Sequence, residues 1–298
     1  MSRPVPSDPP AQLPQLSAAQ CEALHEIEVV DEFGQRRRIH IPHERPLTIY
    51  VDKRELVTLM TLGQHPEWLV LGYLLNQGLV ADVAEVAAVQ VDWSVDAAAV
   101  TLRQPAVDWA ARTAHRVVTT GCGQGTVYGH ALSQLGRLQL PDAASARIHQ
   151  ATLRELLDRL RQRDSIHRRA GSVHGCALCA GSEALLVVED VGRHNAIDTI
   201  AGWMALHGVA GGDKIFYTTG RLTSEMVMKA ARMGVPIVVS RNGVTQMGHA
   251  LATRLGMALF GRASNRHFLC YCGSDRFDAD PLPPHPLQVV AGSDANNV

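Results

Sequence analysis

A chain of 298 residues, 46% of them hydrophobic, is long enough to bury one substantial core beside a smaller one. Its formal net charge of −1 excludes a surface built wholesale to attract nucleic acid, and no apolar run approaches the roughly 20 residues of a membrane-spanning helix. Six cysteines at this length exclude a disulfide framework, so free thiols in a reducing, cytoplasmic setting are expected.

The start of the chain, Met1 to about Ala19, holds five prolines and no hydrophobic period, which predicts disorder, and nothing in it reads as a signal peptide. Alternation from Glu26 to Ile41 about Gly34 predicts a hairpin. A second strand pair is expected at Leu47–Val51 and Leu56–Met60. Pro66 fits the first position of a helix whose apolar face is Leu69, Leu71, Leu74 and Leu75 and whose end is Gly78. Val86 to Leu102 reads as two more strands. Thr152 with Glu155 reads as a capping box opening a helix with Leu153, Leu156, Leu157 and Leu160 on one face. The division expected is a smaller β-rich part over residues 20–150, an α/β domain over 151–280 and a flexible tail over 281–298.

Within the larger domain three strand-turn-helix units follow one another, and each places basic residues just past its strand. Ala184–Val188 leads to Arg193 and His194, Lys214–Tyr217 to Arg221, and Pro236–Val239 to Arg241; a fourth run, Gly256–Phe260, leads to Arg262 and Arg266. Strands alternating with glycine-capped helices argue for a parallel sheet. In such a sheet the carboxyl ends of the strands share the edge where ligands bind, beside helix amino termini. A shared anionic ligand, phosphate above all, is the reading favoured over separately solvated arginines.

Cys122 lies in Thr119-Thr120-Gly121-Cys122-Gly123-Gln124-Gly125, a run of small residues that suits an exposed thiol on a mobile loop over residues 119–129; the alternative is a small buried side chain. No Gly-Lys-Ser/Thr phosphate loop supports a nucleotide hydrolase.

Arg45-Pro46-Leu47-Thr48-Ile49-Tyr50-Val51, Leu71-Gly72-Tyr73-Leu74-Leu75-Asn76-Gln77-Gly78, Val173-His174, Glu189-Asp190-Val191-Gly192-Arg193-His194-Asn195-Ala196 and Thr219-Gly220-Arg221-Leu222-Thr223-Ser224-Glu225-Met226 occur in one order. At these motifs the chain resembles the FdhD-type formate dehydrogenase accessory proteins, from about Arg45 to Phe277. The resemblance implies a cytidine-deaminase-like three-layer α/β domain with a smaller β-rich amino-terminal subdomain, and a homodimer. It implies a sulfur carrier that takes persulfide sulfur from a cysteine desulfurase. The recipient would be the bis(molybdopterin guanine dinucleotide) cofactor, of molybdenum or its tungsten analogue, before insertion into the formate dehydrogenase catalytic subunit. Cys122 would be the persulfide carrier. The cofactor-binding stretch maps onto Phe260-Gly261-Arg262-Ala263-Ser264-Asn265, joined by Arg221, Arg193, His194 and Asp190, with Asp190 and Glu225 as acceptors for guanine or for the arginines. The competing role is a cofactor chaperone without sulfur transfer.

The family's loop usually carries Cys-x-x-Cys, whereas here the second position is Gly125. Cys176-Ala177-Leu178-Cys179 offers either a relocated partner thiol or two packing residues on a core strand. Deamination is not expected, since Cys176-Ala177-Leu178-Cys179 is preceded by Gly175 and not by the proline of the zinc deaminases. Cys270-Tyr271-Cys272 is expected to put two thiols on one strand face, which makes no closed zinc site, and no metal is assigned.

Overall fold

A computed structural model describes residues 13–104, 117–119, 125–127, 138–264 and 267–281. Short β1 (Gln15–Leu16) precedes the hairpin of β2 (Leu24–Val30) and β3 (Arg36–Pro42), which turns at Gly34. A second hairpin, β4 (Arg45–Val51) and β5 (Arg54–Thr61), is followed by helix α1 (Pro66–Asn76) and by β6 (Val86–Asp92) and β7 (Ala97–Leu102). These form a five-stranded sheet in the order β1-β6-β7-β4-β5, with β2 and β3 a separate ribbon. The period of two along β4 turns Leu47, Ile49 and Val51 inward onto Leu69, Val70 and Leu74 of α1. Pro66 needs no donor at its position, and Gly78 supplies the left-handed turn at φ +67° that ends the helix.

Disorder does not extend through residues 13–19. Ser17 Oγ and the Ala19 amide both donate to Glu67 Oε1 at 2.7 Å, and the Ser17 amide donates to the Val89 carbonyl. A buried acceptor on α1 therefore orders a segment that has no hydrophobic period of its own.

Strands β8 (Val117–Thr119) and β9 (Gly125–Val127) pair antiparallel, Val117 opposite Val127. Then come β10 (Ile148–His149), α2 (Gln150–Gln162), α3 (Ile166–Ala170), β11 (His174–Ala180), β12 (Glu183–Asp190) and α4 (Arg193–Leu206). The chain continues through β13 (Ile215–Thr218), α5 (Ser224–Arg232), β14 (Ile237–Ser240), α6 (Gln246–Arg254), β15 (Ala258–Ser264), β16 (His267–Cys272) and β17 (Phe277–Asp278). Helix α2 starts before the expected capping box. Ile148 and His149 are held extended by pairing with β17, so the helix begins where that pairing ends, and Glu155 instead bonds Arg159 one turn on.

The large sheet runs β12-β11-β13-β14-β15-β16 and is mixed, not wholly parallel. The tight turn at Gly181 makes β11 and β12 a hairpin, and β11 is antiparallel to β13 as well. Two antiparallel steps restore direction, so β12, β13, β14 and β15 still end on one rim. Helices α4, α5 and α6 cover one face, around Leu178, Ile197, Phe216 and Val227; α2 covers the other, around Leu153, Ile215 and Phe260. That makes three layers.

Helices α1 and α4 join the two sheets, crossing at Gly72 and Gly202. A Cβ on Gly72 would lie 1.6 Å from the Asp198 carbonyl oxygen, and one on Gly202 would lie 2.0 Å from that of Trp68. Only hydrogen fits at either position.

Candidate functional site

On the strand-end rim, beneath α2 and α3, lies a cleft of about 660 Å³. Gly175, Tyr217, Thr219, Arg241, Ala263 and Ser264 come to it from the sheet, and Arg161, Arg163, His167 and Arg168 from the two helices. The floor is fixed by hydrogen bonds. Gly175 and Thr219 exchange backbone and side-chain bonds at 2.8 and 3.0 Å, and Ser240 Oγ donates to the Gly220 carbonyl at 2.6 Å. Glu189 pins the roof by accepting from the amides of Ile166 at 2.6 Å and His167 at 3.1 Å. Four arginines thus face one carboxylate that is already engaged, so the cleft favours an anion.

The expected site residues divide between two places. Ala263 and Ser264 line the cleft. Phe260 is fully buried in an aromatic cluster with Phe268 and Phe277, and Gly261 packs against Tyr271. Arg262 is exposed with a left-handed backbone at φ +52°, its amide donating to the Asn242 carbonyl. Arg221 is also exposed. Arg193 and His194 are not loop residues; they form the first turn of α4 and are buried. Cys122 and Asn265 lie outside the described residues.

Asp190 has a different role from the expected one of cofactor acceptor. Its carboxylate takes four hydrogen bonds, from Thr61 Oγ1 (2.6 Å), Leu62 N (3.2 Å), Gly192 N (3.1 Å) and Asn195 Nδ2 (2.8 Å). It therefore ties β5 to the start of α4. Glu225, in the first turn of α5, belongs to a buried polar chain: Asn76 Nδ2 donates to Asp198 at 2.7 Å, Lys229 Nζ lies 2.7 Å from Asp198 and 3.8 Å from Glu225, and His194 Nε2 lies 3.4 Å from Glu225.

Burial first, then the charges of Lys229 and Arg193, hold the His194 imidazole well below its ordinary pKa of 6.5. A histidine kept neutral in the fold but free to protonate when unfolded stabilises the protein above pH 6.5, and that stability is lost as pH falls. Asp190 and Asp198, whose pKa values burial raises, titrate with the opposite sign, so one variant isolates the histidine. Between pH 7.5 and 5.5 the stability of the wild type in urea should fall relative to His194→Asn, by up to about 1.4 kcal/mol per pH unit below 6.5. Parallel pH dependences would contradict this.

The two thiols of β11 are packed into the core. Cys176 and Cys179 sit on opposite faces of β11, the first packed under α4 and the second under α2, and burial pushes each up to about 12. They are packing residues, not a relocated thiol pair. Cys270 and Cys272 also face opposite sides, contrary to the one-face expectation. Leu259 pairs with Cys272 and Phe260 with Cys270, leaving Tyr271 as the extra residue of a bulge.

The local sequence does not assign the α2–α3 arginines to a site. Their signal was the dense basic run Arg159, Arg161, Arg163, Arg168 and Arg169, but only the fold shows that part of it roofs the rim.

The sequence profile of the FdhD/NarQ family matches residues 42–278. The chain belongs to this family. It is 31% identical over 238 residues to the sulfur carrier protein FdhD of Bacillus licheniformis, covering 78% of this chain and 88% of that one. It is 29% identical over 233 residues to its counterpart in Listeria innocua, covering 78% and 89%. A solved structure of a candidate formate dehydrogenase accessory protein from Desulfotalea psychrophila superposes with a TM-score of 0.68 at 25% identity, covering 85% of this chain and 98% of the other. These likenesses support a sulfur-carrier, formate dehydrogenase accessory role. No helix among the described residues is long and apolar enough to cross a membrane.

Proposed function

We propose that the chain carries sulfur for a formate dehydrogenase. In this reading Cys122 takes sulfane sulfur from a cysteine desulfurase and passes it to the bis(molybdopterin guanine dinucleotide) cofactor of molybdenum or tungsten, held on the strand-end rim. The Cys122 thiolate attacks the outer sulfur of the donor's persulfide, a new S–S bond forms as the old one breaks, and the donor cysteine leaves as a thiolate, so no oxidant is required. A cytoplasmic homodimer belongs to the same reading. A deaminase-like domain is supported by the strand order, in which β12 and β11 exchange places ahead of β13, β14 and β15 and β11 alone of these runs opposite to the rest.

The basic cleft carries the proposal. At about 660 Å³ it has room for one nucleotide diphosphate arm of the cofactor, and its arginines suit bidentate contact with a pyrophosphate. A chaperone without sulfur transfer is the second reading, favoured by the burial of Cys176 and Cys179, which removes the Cys-x-x-Cys pair of β11 as a replacement for the absent loop partner.

Arg241→Ala removes one charge-assisted fork from the cleft and should weaken guanosine diphosphate binding by about tenfold or more, less at high salt. Calorimetric titration of the full chain measures this. Equal affinity in variant and parent would remove the cleft from the site.

A further inference from the structure

The floor of the basic cleft consists of two rungs of different chemistry. Nearer the rim, Glu189 of β12 stands opposite Gly175 of β11, Gly175 is bonded to Thr219 just past β13, and Arg241 follows β14. Two residues further in, Val187 pairs with Ala177, Ala177 with Tyr217 and Tyr217 with Val239. Side chains two apart on a strand share a face, so both rungs lie under α2, about 6.6 Å from one another. The roof follows the same order. Leu157 and Leu160 of α2 pack in one cluster with Ala177, Val187 and Tyr217, whereas Arg163 and Arg168 flank the start of α3, which Glu189 pins at the rim.

Tyr217 is the one polar side chain of the inner rung. It is half-buried, and its hydroxyl makes no hydrogen bond among the described residues yet keeps surface of its own, so it opens onto the cleft that the residue lines. Burial against the apolar wall raises the phenol above its ordinary pKa of 10, in spite of the Arg241 charge nearby, so at neutral pH it is an O–H able to donate. Small-molecule pockets are mostly apolar with a few polar groups that fix orientation, and a lone hydroxyl at the inner end of a cleft is such a group.

We propose that the cleft takes a nucleotide base first, with the heterocycle on the inner rung between Leu160 and Val187, the phosphates outward on Arg163, Arg168 and Arg241, and the Tyr217 hydroxyl donating to a ring oxygen or nitrogen. This rests on the cofactor-binding reading above and adds to it an orientation and a specificity-determining residue outside the row of basic side chains. The reverse orientation is disfavoured by charge. Val187, Ala177, Tyr217 and Val239 offer no cation, so a phosphate on the inner rung would lose its water without a counter-charge on the floor to replace it. A flat ring system there buries apolar faces against Leu160 and Val187 and meets the one open donor. The ribose bridges the two rungs.

Calorimetric titration of the full chain with guanosine diphosphate and, separately, with inorganic pyrophosphate tests the orientation. Tyr217→Phe should weaken guanosine diphosphate binding by about threefold to tenfold and leave pyrophosphate within about twofold of the parent, whereas Arg241→Ala should weaken both. On protein labelled with 13C-tyrosine, the signal that Tyr217→Phe removes should shift when guanosine diphosphate is added and stay in place with pyrophosphate. An unchanged affinity for guanosine diphosphate in Tyr217→Phe, an equal loss for both ligands, or a signal that moves as far with pyrophosphate would overturn the proposal while leaving nucleotide binding in place. If guanosine diphosphate does not bind the parent at all, the cofactor reading and this proposal fall together.

Discussion

Cys122→Ser is expected to abolish sulfur loading and to reduce formate dehydrogenase activation to the level of cells lacking the carrier. A hydroxyl cannot hold sulfane sulfur, and the Cys-x-x-Cys pair of β11 is too deeply packed to take its place. Cys176 and Cys179 are buried on opposite faces of β11 and burial pushes the ionisation of each up to about 12, so neither is a ready thiolate at neutral pH. Cys179→Ala should accordingly load sulfur as the parent does, after a modest loss of packing. Activation assays in a deletion strain, with the variants produced at matched levels, separate the readings. Full activation by Cys122→Ser would leave the chaperone reading standing in place of sulfur transfer, and loss of loading in Cys179→Ala with its fold intact would reinstate the second pair.

Gly202→Ala, like Gly72→Ala, should be among the most damaging single-methyl changes at the described residues. Its Cβ would sit 2.0 Å from the Trp68 carbonyl oxygen, and the corresponding atom on Gly72 would sit 1.6 Å from that of Asp198. Backbone atoms cannot rotate away, so α1 and α4 must part. Parting them strains the Asn76–Asp198 bond and the ties between Asp190, Asn195 and β5. Overpacking of this kind costs about 3 kcal/mol or more against a total stability of about 5–15 kcal/mol. Urea denaturation would measure the loss, and Gly243→Ala provides a comparison because open space surrounds that position and its backbone is not left-handed. A Gly202→Ala protein as stable as the parent would mean that the two helices do not cross this closely.

Both hairpins, α1 and the strand-turn-helix units were legible because each depends on residues near one another: a period of two, a proline at a helix start, a glycine at its end. The common rim was legible for the same reason. What could not be read was set by distant partners. The insertion of β11 between β12 and β13 depends on pairing across the domain, and Asp190, which looks like a loop acid free for a ligand, meets Thr61 from 129 positions away. Residues 13–19 gain their order from Glu67, about 50 positions on. Arg161, Arg163 and Arg168 read as ordinary solvated charge until α2 and α3 are seen to roof the rim. The motif that carries the basic residues was thus visible, while its division into an open cleft and a buried polar chain depended on which helix each residue joined.

Sulfur carriage by Cys122 is tested most directly by weighing the intact protein after incubation with a cysteine desulfurase and free cysteine. The parent is expected to gain the mass of one sulfur atom, a thiol reductant to remove it, and fragmentation to place it on the peptide containing Cys122. An unchanged mass in the parent, or the same gain in Cys122→Ser, would contradict it.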